Sequence, residues 1–137
     1  VYMDDYAHHP SELKASISSI RQLYADRKIT GIFQPHLYSR TRDFAPEFAE
    51  ALSELDELIL LDIYPARELP IEGVTSELIM KDVSIPDKTL TSKENLLILL
   101  DQKELDVLVT FGAGDIDKMV PEIKKYLKER FGNNSEK

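Results

Sequence analysis

Four short polar segments carry most of the side chains in this chain that are equipped for chemistry. The first, Asp4-Asp5-Tyr6-Ala7-His8-His9-Pro10, places two carboxylates and two imidazoles within six residues. Pro10 suits the first position of a helix, where its missing N–H costs nothing. A helix N-terminus disfavours an imidazolium, so His8 and His9 are expected to lean neutral, able to accept or donate a hydrogen bond. Adjacent histidines in a loop rarely point the same way, so no metal site is expected from them. One histidine capping the helix while the other packs is an equally open reading.

The second segment holds Gln34, His36, Tyr38, Ser39, Arg40, Thr41 and Arg42. A guanidinium fork among hydroxyls suits a carboxylate or phosphate. A helix is expected to start near Asp43, with Thr41 or Asp43 serving its first turn. Arg40 would then be a cation at a helix N-terminus, unfavourable unless an anion is close. It is therefore a candidate anion ligand, with Arg42 as a second. In the third segment, residues 62–68, Arg67 and Glu68 either pair with each other or meet a ligand. The fourth, Gly112-Ala113-Gly114-Asp115, is a glycine turn feeding a helix, a backbone arrangement able to hold an anion. It is not a dinucleotide fingerprint, because position 117 is Asp, and no G-x-x-x-x-G-K-[ST] phosphate loop occurs anywhere.

The elements that must hold these segments follow from apolar periodicity. Residues 1–3, 29–33, 57–63 and 106–111 read as strands, the middle two apolar at almost every position, as strands covered on both faces are. A further short strand is expected at 87–91. Leu13, Ile17, Ile20 and Tyr24 recur at helical spacing, as do Phe44, Phe48, Ala51, Leu52 and Leu55. A short helix is expected at 76–81. Ser92 reads as the N-cap of a helix carrying Leu96, Leu97, Leu99 and Leu100. Ile116, Met119, Val120, Ile123 and Leu127 mark the inward face of a last helix. Residues 64–75, with two prolines and a glycine, form a long loop of the functional kind. Alternating strands and helices predict an α/β fold, a Rossmann-like three-layer sandwich with a mainly parallel sheet. Each polar segment follows a strand, so all four should meet at the carboxyl edge of that sheet, where such folds bind ligands.

Composition narrows the function classes. The chain has 137 residues, the size of one domain, expected over 1–131 with a polar tail at 132–137. A net charge of −8 argues against a nucleic-acid binder. Lys124, Lys125 and Lys128 fit the negative end of the last helix. No apolar run approaches the roughly 20 residues of a membrane span. The absence of cysteine excludes disulfides and thiolate metal sites and is compatible with the cytoplasm. The chain opens inside a strand without an initiator Met, as a piece of a longer protein would.

Taken together and in order, the four motifs resemble the C-terminal domain of the Mur ligase family, in its UDP-N-acetylmuramate–L-alanine ligase branch. They are Asp4 to Pro10, Phe33-Gln34-Pro35-His36-Leu37-Tyr38-Ser39-Arg40-Thr41-Arg42, Asp62-Ile63-Tyr64-Pro65-Ala66-Arg67-Glu68 and Gly112-Ala113-Gly114-Asp115-Ile116. The resemblance covers all but the polar tail. It implies a three-domain parent, with a UDP-substrate domain and a central ATPase domain preceding this one, which accounts for the missing phosphate loop. It further implies that the parent uses ATP and Mg²⁺ to activate UDP-N-acetylmuramate as an acyl phosphate, which the L-alanine amine attacks. By motif position, Asp5, Tyr6 and His8 would lie on the nucleotide. His36, Arg40 and the backbone around Gly112 and Gly114 would lie on L-alanine, with His9, Arg42 and Arg67 as further site candidates. No residue is implied as catalytic, and no cofactor is intrinsic to this segment. Many members carry Arg where this chain has Leu37, so that arginine's role does not transfer. A murein tripeptide recycling ligase carries a similar first motif and is the nearest alternative. A receiver-like interaction module, with an acidic pair after its first strand, is the alternative from another class.

Overall fold

A computed structural model describes residues 1–112 and 114–131. The expected polar tail, and Ala113 within the glycine turn, lie outside the described residues. The uninterrupted apolar runs form the interior of one sheet. β2 (Ile29–Phe33), β3 (Glu57–Leu61) and β5 (Val107–Phe111) are buried at every position. β1 (Tyr2–Asp5) and β4 (Lys88–Thr91) are the edges and are only partly covered. The order is β1-β5-β2-β3-β4, and every pairing is parallel.

Parallel neighbours need crossovers, and the amphipathic segments supply them. α1 (Pro10–Leu23), α2 (Tyr38–Leu52) and α3 (Glu77–Met80) cover one face, their core running through Leu13, Ile17, Phe33, Phe48, Leu52 and Phe111. α4 (Leu96–Asp101) and α5 (Asp115–Phe131) cover the other, over Ile32, Ile59, Leu100, Leu108, Ile116 and Ile123. Successive strand residues alternate between these two cores, as the pleat requires. The three-layer architecture expected from the sequence is the one observed. Among the described residues no helix is long and apolar enough to cross a membrane.

Three local expectations are corrected. α2 starts at Tyr38 rather than near Asp43, and bends at Phe44, where φ is −124° and ψ is 17°. Pro46 offers no N–H to the Arg42 carbonyl and its ring crowds that turn, which accounts for a break in the turn before it. Phe44 therefore sits on the exposed side of the bend and not in the apolar stripe. Ser92 precedes a 3-10 turn (Lys93–Asn95) without a side-chain cap bond, and Asn95 holds the N-cap position of α4.

The chain steps outward from β1 through β2 and β3 to β4, then returns to insert β5 between β1 and β2. α1 leaves β1 toward one face and α5 leaves β5 toward the other, so a crevice opens at their carboxyl ends. The amino edge is closed by ion pairs instead. Glu57, 4% exposed, meets both Lys28 and Lys103, while Arg27 pairs with Asp106 and Arg21 with Asp56.

Candidate functional site

At the end of β1 the two carboxylates part company. Asp4 accepts the Thr110 hydroxyl at 2.7 Å, and Thr110 in turn lies 3.0 Å from the Tyr2 hydroxyl. Burial, with the Asp4 charge adding to it, pushes that phenol up to about 12 against the pull of the Thr110 bond. Asp5 is held by a turn and a helix: it accepts the Ala7 N–H at 2.9 Å and the Ser16 hydroxyl of α1. A carboxylate has about four acceptor positions, so Asp5 keeps capacity for a ligand. Tyr6, beside it, is 62% exposed.

His9 occupies the N-cap position of α1, and its ring lies 6.0 Å from that of Phe44. The Glu12 carboxylate accepts the backbone N–H groups of His8 at 3.2 Å and His9 at 3.0 Å, which hold it below the ordinary carboxylate range. Of the two readings of the pair, the capping position thus falls to His9. His8 lies between: its Nδ1 is 3.0 Å from the Tyr6 carbonyl, and its ring is 5.9 Å from those of both His9 and His36. Tyr6 lies edge-on to His8 at 5.6 Å, and Tyr64 lies 5.5 Å from His36. Rings from the segments after β1, β2 and β3 therefore form one row, Tyr6–His8–His36–Tyr64. Among the described residues no set of side chains is grouped to hold a metal ion.

Gln34 ties these segments together. Its backbone N–H reaches Phe111 at 3.2 Å, its amide oxygen accepts the Ile116 N–H at 2.8 Å, and its amide nitrogen donates to Asp62 at 3.4 Å. Gly112 has φ +134°, and a Cβ there would stand 2.9 Å from the Gln34 carbonyl oxygen, so only glycine fits. Its N–H donates to the Asp5 carbonyl at 3.2 Å. Gly114 is required for space alone: a Cβ would come within 2.6 Å of the Tyr64 ring.

The start of α2 differs from expectation in its capping. Leu37 takes the N-cap position with φ 73°, a strained value for a residue with a branched side chain. Thr41 donates back to the Leu37 carbonyl at 2.9 Å, and Asp43 pairs with Arg42, so neither caps the helix. The capping charge comes from the loop after β3. Glu68 accepts the Ser39 N–H at 3.1 Å and the Ser39 hydroxyl, and these bonds hold its carboxyl low. Ser39 and Glu68 are 29 residues apart, so nothing in the sequence pattern could pair them. Glu68 is consequently not the partner of Arg67, which stands exposed in its loop. Arg42 is exposed and engaged with Asp43. Arg40 is different. It is half-buried, and its Nη1 is fully covered with no hydrogen-bond partner among the described residues. An orphaned buried donor costs about 1–3 kcal/mol, and a charged one more, which a bound anion would recover.

Comparison with known proteins agrees with this geometry. Residues 1–114 match the family model described as Mur ligase, glutamate ligase domain. The chain is 60% identical over 127 residues to a UDP-N-acetylmuramate–L-alanine ligase of Parabacteroides distasonis, covering 93% of this chain and 28% of that protein. A ligase of the same name from Flavobacterium johnsoniae is 54% identical over 129 residues, covering 94% of this chain and 29% of that one. The chain thus spans under a third of the length of these relatives. Among solved structures, a murein peptide ligase from Psychrobacter arcticus superposes with a TM-score of 0.70 at 17% identity, over 93% of this chain and 26% of that one. The UDP-N-acetylmuramate-alanine ligase from Thermotoga maritima gives 0.65 at 23% identity, over 90% of this chain and 26% of that one. With one family model covering residues 1–114, which hold the first three motifs and the start of the fourth, and with the parallel sheet that sets the motif-bearing segments along one edge, the chain belongs to the Mur ligase family, as its C-terminal domain.

Proposed function

We propose that this domain closes the active site of an ATP-dependent ligase that joins L-alanine to UDP-N-acetylmuramate in peptidoglycan synthesis, in the cytoplasm. The domain is taken as residues 1–131. The observation that carries this reading is the 50–60% identity, over 93–96% of the chain, to ligases bearing that activity in their names. That identity favours the alanine-adding ligase over the murein tripeptide recycling enzyme. The family match leaves the receiver-module reading without support.

The residues fit a nucleoside better than a phosphate. The Asp5 carboxylate suits ribose hydroxyls, the exposed Tyr6 ring can lie against a base, and His8 completes that side. Mg²⁺ and the phosphates of ATP would be held by the central domain that the family resemblance implies. In the parent reaction ATP activates the UDP-N-acetylmuramate carboxylate as an acyl phosphate, and the L-alanine amine displaces phosphate. What this domain supplies is position and charge. Arg40, with an unsatisfied guanidinium nitrogen, meets the L-alanine carboxylate in place of the guanidinium that Leu37 cannot provide. His36 borders the same substrate beside the Gly112–Gly114 turn.

Because these 137 residues span under a third of the length of the named ligases, they are expected on their own to show no ligase activity and weak ATP binding at most. Incubating it with ATP, Mg²⁺, UDP-N-acetylmuramate and L-alanine tests this. Alanine-dependent ADP release by this chain alone would overturn the reading.

A further inference from the structure

Tyr64 carries no role in the reading above, yet both its backbone and its ring are constrained at this edge of the sheet. Its backbone is pinned on both sides: the N–H donates to the Pro35 carbonyl at 2.8 Å, and the carbonyl accepts the Leu37 N–H at 2.8 Å. These bonds continue the β2–β3 pairing past the ends of the strands, with His36 and Tyr64 in parallel register. The side chain is constrained too. A Cβ built on Gly114 would stand 2.6 Å from Tyr64 Cγ, 2.8 Å from Cδ2 and 3.0 Å from Cβ, closer than any real contact. The ring thus lies directly on bare glycine backbone at the turn that starts α5. It also lies 5.5 Å from the His36 ring at an interplanar angle of 36°, and His36 continues the row to His8 at 5.9 Å.

We infer that Tyr64 is a positioning residue: its ring, seated on Gly114, holds the His36 imidazole at the carboxyl edge and couples the β3 loop to the β5–α5 turn. A flat neighbour fixed by backbone bonds on one side and by a glycine on the other limits the orientations open to the His36 ring. The contact also assigns Gly114 a reason independent of anion binding, since its backbone conformation does not demand glycine whereas the tyrosine ring does. The functional half of the inference rests on reading His36 as a substrate-side residue.

Two measurements test the two halves separately. In the 137-residue chain, the His36 imidazole signals are followed by proton–carbon NMR, with a thermal melt confirming that each variant folds. Tyr64→Leu and Gly114→Ala are expected to shift the His36 signals. Tyr64→Phe, which keeps the ring, recovers most of the change seen in Tyr64→Leu. The double variant Gly114→Ala/Tyr64→Leu is expected to shift them no further than Tyr64→Leu alone, because the same contact is removed twice. In the full-length ligase, Tyr64→Leu is expected to lower kcat/KM for L-alanine between about tenfold and a hundredfold, the usual effect of misplacing a substrate-contacting group, with Tyr64→Phe again recovering most of it. Unchanged His36 signals in folded Tyr64→Leu and Gly114→Ala would overturn the positioning role outright. Shifted signals with unaltered alanine kinetics would uphold the positioning role and remove His36 from the substrate site.

Discussion

Arg40 and Arg42 stand two positions apart, carry the same charge and meet different fates. Arg42 points its Nε at Asp43, 2.9 Å away in solvent, an arrangement worth little. Arg40 buries Nη1 at the positive end of a helix, with no hydrogen-bond partner among the described residues. Glu68 meets the same helix start at Ser39, through its N–H and its hydroxyl. In the full-length ligase Arg40→Ala is therefore expected to raise the KM for L-alanine by about ten- to a hundredfold with a smaller change in kcat, the pattern of lost substrate binding. Arg40→Lys should recover little of this, because a point charge does not replace a planar fork. Steady-state kinetics with varied alanine checks both, and unchanged alanine dependence would return Arg40 to a structural role.

At the level of elements, the site depends on how closely the β2, β3 and β5 exits approach one another. Gly112 permits the contact made with backbone, the Gln34 carbonyl oxygen lying 2.9 Å from the place of a missing Cβ, with φ at +134°. Gly112→Ala is expected to destabilise the domain by about 2–4 kcal/mol, combining backbone strain with overpacking against a carbonyl that cannot move aside. Urea unfolding measures it. Gly114→Ala meets a side chain instead, so its stability cost should be the smaller of the two. Leu37, at φ 73°, is the strained joint by which the chain turns out of β2 into α2.

The molecule as a whole divides into a carboxyl edge that gathers the candidate site and an amino edge closed by ion pairs. At the amino edge, burial pushes the Glu57 carboxyl up, but Lys103 and Lys28 outweigh it and hold the group below its ordinary 4.5. Asp56 behaves alike, burial opposed by Arg21 and the Ile29 N–H, and Asp106 is held low by Arg27. A carboxyl depressed in the folded state contributes stability that is present above its unfolded value and lost as pH falls through its folded value. Thermal stability is thus expected to fall progressively as pH drops below about 4.5. Asp117, raised by burial and by the Asp4 charge, works in the opposite sense and only softens the slope. Glu57→Gln should cost about 1–3 kcal/mol at neutral pH, less than a fully buried pair because Lys28 and Lys103 retain access to water. It should also flatten the acid limb. Calorimetry of both chains between pH 3 and pH 7 tests this; parallel acid limbs would show that Glu57 is not part of the effect.

Periodicity alone determined the α/β class, the buried strands β2, β3 and β5, and the gathering of the polar segments at one carboxyl edge, because apolar burial is a property of local spacing. The four motifs determined the family for the same reason, each being contiguous. Contacts that close over long separations were decided only by the tertiary structure. Glu68 rather than Thr41 or Asp43 serves the start of α2, Ser16 holds Asp5, and Tyr64 lies on Gly114 beside His36. The start of α2 itself was misplaced by the sequence reading, since Phe44 and Pro46 obscure a first helical turn whose capping charge lies 29 residues away. Such pairings depend on how strands order themselves in the sheet, and the insertion of β5 between β1 and β2 leaves no trace in local pattern.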